Sequence, residues 1–498
     1  MTYFIWSLPA LIVLAAIVSG RANATVASVL GLGTAIPVAI FYGPGPFDAA
    51  QLTQALLRGL WIGVVIAPYI LGGLLFWQVA ASGFKARQHA GATQLRSTTK
   101  PVAMTSIAKR RLVFFACFLI GPFAEAATGF GVGMLGTIML LRHLGFAPLH
   151  LIIFALLSQS LIPWGAMASG TLLAAAYANL PSTQLSMYVA IPVSLLMLVW
   201  LSLFWKTARK AGIGSSVWEG FRELLWVATG MVLLLVATRY LGPETALLAA
   251  YGPLIVIRYL LDVRPARNEA WRIALKISPY IILIGGLAVT RLVPVLKNTL
   301  TTLGRIAPFD NLPAWSPLLH AGTWLIGGAL LTAIVRKQTH FLKKEAKSAW
   351  FTGQHAVLTV FLFSMMAEVL AASGISGQFA TATFNALSEE AILITPILSG
   401  MFGVLTNSGN PANSLFLPPQ VALAVQAGLS VPAVAALQHV SGTSLGFFSP
   451  IRMSIAASLA GGRGQEKGAY MTLFPFALVA MVLLIGFAMS IIAVGTLN

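Results

Sequence analysis

Thirty residues separate Arg111 from Arg142, and Glu125 is the only charged side chain among them. A run that long and that apolar exceeds the ~20 residues a helix needs to cross a bilayer. The pattern recurs along all 498 residues, of which 58% are hydrophobic and 9% charged. Soluble chains carry about 25% charged residues, so most of this surface must face lipid. Only helices or closed barrels satisfy every backbone group there, and the segments are of helical length. The expected fold is an all-α polytopic membrane protein with broken or re-entrant segments.

The net charge of +18 has a distribution that argues against nucleic acid. Residues 85–111 hold Lys85, Arg87, Arg96, Lys100, Lys109, Arg110 and Arg111 without an acid. Arg336, Lys337, Lys343, Lys344 and Lys347 form a second cluster opposed only by Glu345. Short basic loops between apolar blocks mark the cytoplasmic side of a membrane protein. The first twenty residues lack the basic start and cleavage site of a signal peptide, so they are expected to remain as a first span. One cysteine, Cys117, excludes an internal disulfide and a multi-cysteine metal centre.

Apolar blocks along residues 1–498 give about twelve to fourteen crossings in a single transporter-like domain, with candidate halves 1–240 and 241–498. If segments 85–111, 206–222, 262–276, 336–350 and 463–467 all lie inside, each interval between them holds an even number of crossings. Three blocks lie between Arg111 and Lys206, so one must be a re-entrant hairpin or be split in two. The glycines of "GPFAEAATGFGVG" (121–133) offer one break and "QSLIPWGAMASG" (159–170) another. "FACFLIGPFAEAATGFG" is faintly echoed by "LTVFLFSMMAEVLAASG", which sets Glu368 opposite Glu125. Such pseudo-repeats are common in secondary transporters. Parity makes the two stretches parallel, whereas an inverted repeat needs them antiparallel.

Glu125 must be neutral, paired or in a polar cavity, because charge at the bilayer centre costs several kcal/mol. Three roles stay open for it: a proton-coupling site, a carboxyl bonded to unwound backbone at the break, or an interfacial group. Gly129 and Gly131 beside it permit a turn or close helix packing. A second constellation, "GVLTNSGNPANSLFLPPQ" (403–420), gathers Thr406, Asn407, Ser408, Asn410, Asn413 and Ser414 among helix breakers. At membrane depth such groups and the N–H groups of a helix start can hold a carboxylate; outside the membrane they would be an ordinary loop. A third stretch, "LQHVSGTSLGFFSPIRMSIAASLAGG" (437–462), contributes His439, able to titrate or to bind an anion, and Arg452, able to pair with a carboxylate of substrate or protein. Both could instead reach an interface. Gln159, Ser160 and Trp164 form a weaker polar group. No metal-ligand motif, nucleotide loop or serine-nucleophile motif is present, so neither a metal, a cofactor nor an enzyme activity is expected.

"GPFAEAATGFGVG" followed by "LRHLGFAPLH" resembles the E-x-x-x-G-F-G signature and following L-G-F-x-P-L segment of the L-lactate permease family. "LTNSGNPANSLF" with "SGTSLGFFSP" and "SIA" is similar to that family's T-G-S-D-T-S-S-N-A-L-F and S-P-Q-S-I-A region. The resemblance implies a secondary carboxylate transporter of the bacterial-type inner membrane. Its partners would be a small organic anion such as lactate or another 2-hydroxy monocarboxylate, protons or another coupling cation, and membrane lipid. By position, Glu125, Gly129, Phe130 and Gly131 match the first signature; Thr406, Ser408, Asn413, Leu415 and Phe416 match the second. The family's acidic position is Gly409 here, and the Gln-Ser after its Ser-Pro is Ile451 and Arg452. A carboxylate is thus lost and a cation gained. The expected mechanism is alternating access, with the anion between segments 121–133 and 403–420 and a proton at Glu125. The alternative is a channel-like or sensor protein in which a carboxylate and Arg452 form a structural ion pair.

Overall fold

The computed structural model describes residues 2–20, 22–91, 104–129 and 131–495, and of these the side chains of 81–91 are not included. Lys85, Arg87, Arg96, Lys100 and Phe130 therefore lie outside the described side chains. Among the described residues there is no strand, only one isolated bridge between Ile306 and Trp315. Helix is the only economical outcome for these sequences: each apolar segment closes its own backbone hydrogen bonds before it meets lipid. A few of their starts carry polar caps, as where Asn23 accepts from Val26 N and Thr105 from Ala108 N.

Ten helices among the described residues are long and apolar enough to span a membrane, or eleven if the bent pair Pro148–Leu157 and Ile162–Tyr177 counts as one. The protein is a polytopic α-helical membrane protein. The number falls below the expected twelve to fourteen for a physical reason. Thr2–Val18, Val132–Leu144 and Ala321–Val335 are apolar but short, and a run of hydrophobic residues does not distinguish a crossing from half of a hairpin.

Two long antiparallel helices, Ala49–Gly91 and Leu342–Ala372, form a spine. They touch backbone to backbone, since a Cβ on Gly59 would lie 2.4 Å from Met365 Cα. Small residues at such contacts let dispersion replace the hydrophobic drive that lipid removes. Glu368 belongs to this unbroken spine and pairs with Arg58 at 2.7 Å, while Arg58 also donates to Asn311 Oδ1. It is therefore no counterpart of Glu125, which lies at a chain break.

Ion pairs lie toward both ends of the bundle. At the basic end, Arg110 grips Glu223 through two bonds of 2.7 Å, Arg111 pairs with Glu219, and Arg258 with Asp262. At the other, Arg291 pairs with Glu244 and donates to Leu319 O. The terminal helix Glu466–Gly495 serves as a ruler. Its first turn rests on Leu149 and its last on Leu429, about 45 Å apart at 1.5 Å per residue. The start of Pro148–Leu157 thus lies at the basic end and the start of Val431–Ser444 at the opposite one.

The ends can be assigned to compartments by labelling, because Cys117 is buried and gives no background. Thr339 and Asp310 are exposed on either side of Ala321–Val335. With an impermeant maleimide on intact cells, Asp310→Cys should label and Thr339→Cys should not until the membrane is opened. The reverse pattern would invert the topology.

Candidate functional site

The chain folds back on itself twice within the bundle. In the first hairpin, Gly121–Thr128 leads to a tip at 129–131 and Val132–Leu141 returns. Register is fixed by Thr137, which donates to Ala116 O at 3.2 Å, and by Gly133, whose Cβ would fall 2.5 Å from Gly121 O. Gly129 adopts φ 68, ψ −156, a conformation open essentially to glycine alone. This is the hairpin that charge parity requires between Arg111 and Lys206. Immediately before it, Ala116–Ile120 forms a π-helical turn, a distortion frequent at functional sites.

Glu125 faces this tip and is 7% exposed. Its Oε1 accepts from Gly131 N at 3.3 Å and its Oε2 from Gly133 N at 3.1 Å. Both oxygens thus serve the start of the returning helix, where free N–H groups and the helix dipole stabilise an anion. Gln159 lies next to them, its Nε2 only 3.1 Å from where a Gly133 Cβ would sit. It donates weakly to Ser158 Oγ, while Gln159 Oε1 and the neighbouring Ser160 Oγ are buried without partners. Trp164, by contrast, is satisfied by Thr238.

These residues belong to a broken helix. Pro148–Leu157 ends, a short turn follows, and the chain resumes through Gly165–Tyr177 with a bend of 57°. Ala166, Met167 and Ala168 all take left-handed conformations (φ 42, 56 and 54). L-residues enter that region at a cost of about 1–2 kcal/mol each. Ala166 Cβ sits 3.1 Å from where a Cβ of Gly129 would project, so the strained segment is pressed against the hairpin tip.

The second hairpin joins Thr395–Thr406 to Gly409–Gln426 through Asn407, which is left-handed, and Ser408, which is extended. Ser408 Oγ caps Asn410 N, and Thr406 Oγ1 lies 2.8 Å from Phe402 O and 2.7 Å from Ser408 O. Gln438 ties the two arms, donating to Ser399 Oγ at 2.8 Å and to Ala412 O at 3.2 Å. A Cβ on Gly403 would lie 1.9 Å from Gly442 O, so helix Val431–Ser444 seats directly on the hairpin backbone. One turn below the tip, Asn413 Nδ2 meets His439 Nδ1 at 2.8 Å, and His439 Nε2 meets Thr171 Oγ1 at 2.9 Å. Ser414 and Ser364 share the hydroxyl of Tyr177.

A second broken helix runs Val431–Ser444, a short 3-10 turn, then Pro450–Ala460. Arg452 projects from its first resumed turn to the second hairpin's tip, where Nε donates to Asn407 Oδ1 at 3.0 Å. Its Nη1 is buried with no partner, and so is Ser449 Oγ. No carboxylate among the described residues comes within the 4.0 Å of an ion pair with Arg452, so the structural ion pair expected in the channel-like alternative does not form.

The two tips and the two breaks therefore converge. Gly129 meets Ala166, Gly170 meets Asn410 Oδ1, and Arg452 meets Asn407. Gln159 Oε1, Ser160 Oγ, Asn413 Oδ1, Ser449 Oγ and Arg452 Nη1 are left without partners in this region. Buried polar atoms are normally bonded, so such a group marks where a polar ligand can bind. Glu368 stands apart on the spine. Thr171, Ser449, Tyr177 and Ser364 escaped the sequence pattern, since single hydroxyls in apolar helices carry no distinguishing context. Among the described residues no cluster of His, Cys, Asp and Glu could hold a metal.

The seat of the second hairpin predicts a contrast between two glycines. Gly403→Ala forces a methyl into the Gly442 carbonyl and should destabilise by about 1–3 kcal/mol, lowering the unfolding temperature in detergent. Gly377→Ala, where a Cβ meets nothing within 4 Å, should be neutral or slightly stabilising. Equal melting of the two variants would refute the close seating.

No protein-family model matches the chain. Comparison with curated proteins finds L-lactate permeases: that of Salmonella typhi is 23% identical and that of Salmonella typhimurium 24% identical over 528 residues, covering 94% of this chain and 91% of each relative. The L-lactate permease of Escherichia coli K12 is 23% identical over 535 residues, with the same coverage. Along nearly its full length, the chain is thus similar to L-lactate permeases, at the distance of a divergent relative.

Proposed function

We propose that this protein is a secondary transporter of a small organic anion in the inner membrane, of the class of lactate and other 2-hydroxy monocarboxylates, working by alternating access with a coupled proton. The observation that carries this is Arg452 Nη1, a buried cationic donor without a partner where two hairpin tips meet. An anion's carboxylate supplies the missing acceptor, in a charge-assisted bond stronger than a neutral one. The names of the full-length relatives point to the same substrate class.

The arrangement also suits access from two sides. The first hairpin opens toward the basic end, where Ser106–Phe115 carries Arg110. The second opens toward the opposite end, where Gln426 bonds Thr381 and Leu429 packs on Gly495. The broken helices run in opposite directions along the terminal helix. Paired hairpins of opposite orientation around one site are a recurrent basis for exposing that site alternately. Under this reading the repeat is inverted, and the counterpart of segment 121–141 is 395–426, not the stretch around Glu368.

Gly409 packs against Thr443, with a Cβ position 2.4 Å from Thr443 Cγ2. A carboxylate cannot be restored there without moving Thr443, so the informative change is at Arg452 alone. In proteoliposomes with an imposed pH gradient, wild-type protein should accumulate L-lactate or a related hydroxy acid. Arg452→Gln should weaken affinity roughly 10- to 100-fold, the value of a charged hydrogen bond of about 1.5–3 kcal/mol. An unchanged affinity ranking across monocarboxylates, dicarboxylates and inorganic anions would remove Arg452 from the site, and turnover without flux would replace transport by an enzyme.

A further inference from the structure

The hydrogen-bond chain through His439 has a direction that its heavy atoms determine. Pro163 O can only accept, and the hydroxyl of Thr171 lies against it, so the single Thr171 proton points there. Thr171 Oγ1 must then accept from His439, which places a proton on Nε2. In the neutral ring Nδ1 is consequently an acceptor. It accepts a hydrogen bond from Asn413 Nδ2, which leaves Asn413 Oδ1 fully buried and without a donor. Asn413 lies one turn below the second tip, beside Asn410, whose Oδ1 sits 3.0 Å from the Cβ position of Gly170. An oxygen lone pair is thus presented where the anion site lies, which disfavours an anion.

Adding a proton reverses this polarity. Once His439 Nδ1 carries hydrogen it can only donate, and Asn413 Nδ2 can no longer face it. Rotation of the carboxamide by half a turn brings Oδ1 to Nδ1–H and turns the amide N–H outward in place of the oxygen. We infer that His439 is the proton-binding group of this transporter and that the Asn413 carboxamide converts its protonation into an anion-accepting site. The inference rests on the reading of this region as an anion site. One proton from water and one monoanion enter together, each raising the affinity for the other by the same factor, and the loaded site gains no net charge.

The surroundings leave this task to His439. Thr395–Thr406 and Gly409–Gln426, packed on both sides of its helix, contain no ionisable side chain. On Gly165–Tyr177 the one such group is Tyr177, held by Ser364 and Ser414. On Ser182–Lys210, Tyr188 packs in an apolar cluster, while Lys206, Arg209 and Lys210 lie in the last two turns. On Glu466–Gly495, Glu466, Lys467 and Tyr470 occupy the first turns. Glu125, on the first hairpin, has both carboxylate oxygens occupied by backbone N–H groups, and protonating it would break one of those bonds.

The test is calorimetric titration of purified full-length protein with L-lactate between pH 6 and 8, in buffers of different ionisation enthalpy, which counts protons bound per anion. Wild type should take up about one proton, with affinity falling up to ~10-fold per pH unit in the alkaline limit, as linkage requires for one proton. His439→Gln mimics the neutral ring, accepting from Asn413 and donating to Thr171, so it should fold normally, take up no proton and bind with pH-independent affinity. Asn413→Asp, whose carboxylate keeps His439 protonated beforehand, should also take up none. Glu125→Gln should retain wild-type proton uptake. Proton uptake that persists in folded His439→Gln or in Asn413→Asp, or that disappears only in Glu125→Gln, overturns the assignment. If wild type binds neither L-lactate nor any other anion tried, the anion-site reading fails first and this inference falls with it.

Discussion

A backbone N–H or C=O left open at the depth of a bilayer can turn only to protein, ligand or enclosed water. Everything distinctive in this molecule follows from how it manages the few places where its helices stop there. At the first tip the open N–H groups of Gly131 and Gly133 are taken by Glu125. At the second, Ser408 caps Asn410, and Asn407 turns its side-chain oxygen to Arg452. Each break is enclosed by the other broken helix or hairpin, never by lipid. Where the two hairpins and two breaks meet, Gln159, Ser160, Asn413, Ser449 and Arg452 keep polar atoms that no backbone group uses.

Much of this was legible in the residues. Charge parity across Arg111 and Lys206 called for a re-entrant hairpin or a split segment, with the glycines of 121–133 and of 159–170 as the two candidate breaks, and the chain breaks at both. The clustered Asn, Ser, Gly and Pro of 403–420 marked the second hairpin. Hydropathy alone does not tell a half-span from a crossing, so the apolar blocks include both long helices and three shorter ones. The echo at Glu368 was a similarity of composition, and the geometry instead pairs that residue with Arg58 on the spine. Nothing in the local sequence could announce that Thr171, 268 positions from His439, fixes the tautomer of its ring.

The orientation of the hairpins also bears on a tension in the sequence. Parity made the two similar stretches parallel, because it compared segment 121–131 with the spine around Glu368. Comparison with 395–426 gives opposite directions: one hairpin is rooted near Arg110 and the other near Leu429. Proposed inversion of the repeat and charge parity are then compatible.

Charge arithmetic at the centre links this architecture to coupled movement. Moving net charge through a low-dielectric interior is costly, so a carrier that must shift both empty and loaded does best when the two states carry the same charge. Glu125 and Arg452 make no ion pair with each other among the described residues; under the proposed reading one carboxylate and one guanidinium make the empty site formally neutral. An anion alone would make it negative. Under the proposal, an anion with a proton on His439 would restore neutrality, and the same proton would turn the Asn413 amide toward the anion. The cation gained at Arg452 has no contacting carboxylate, because Glu125 is held instead by the backbone of the first tip. That separation is what keeps Arg452 Nη1 free to meet a ligand.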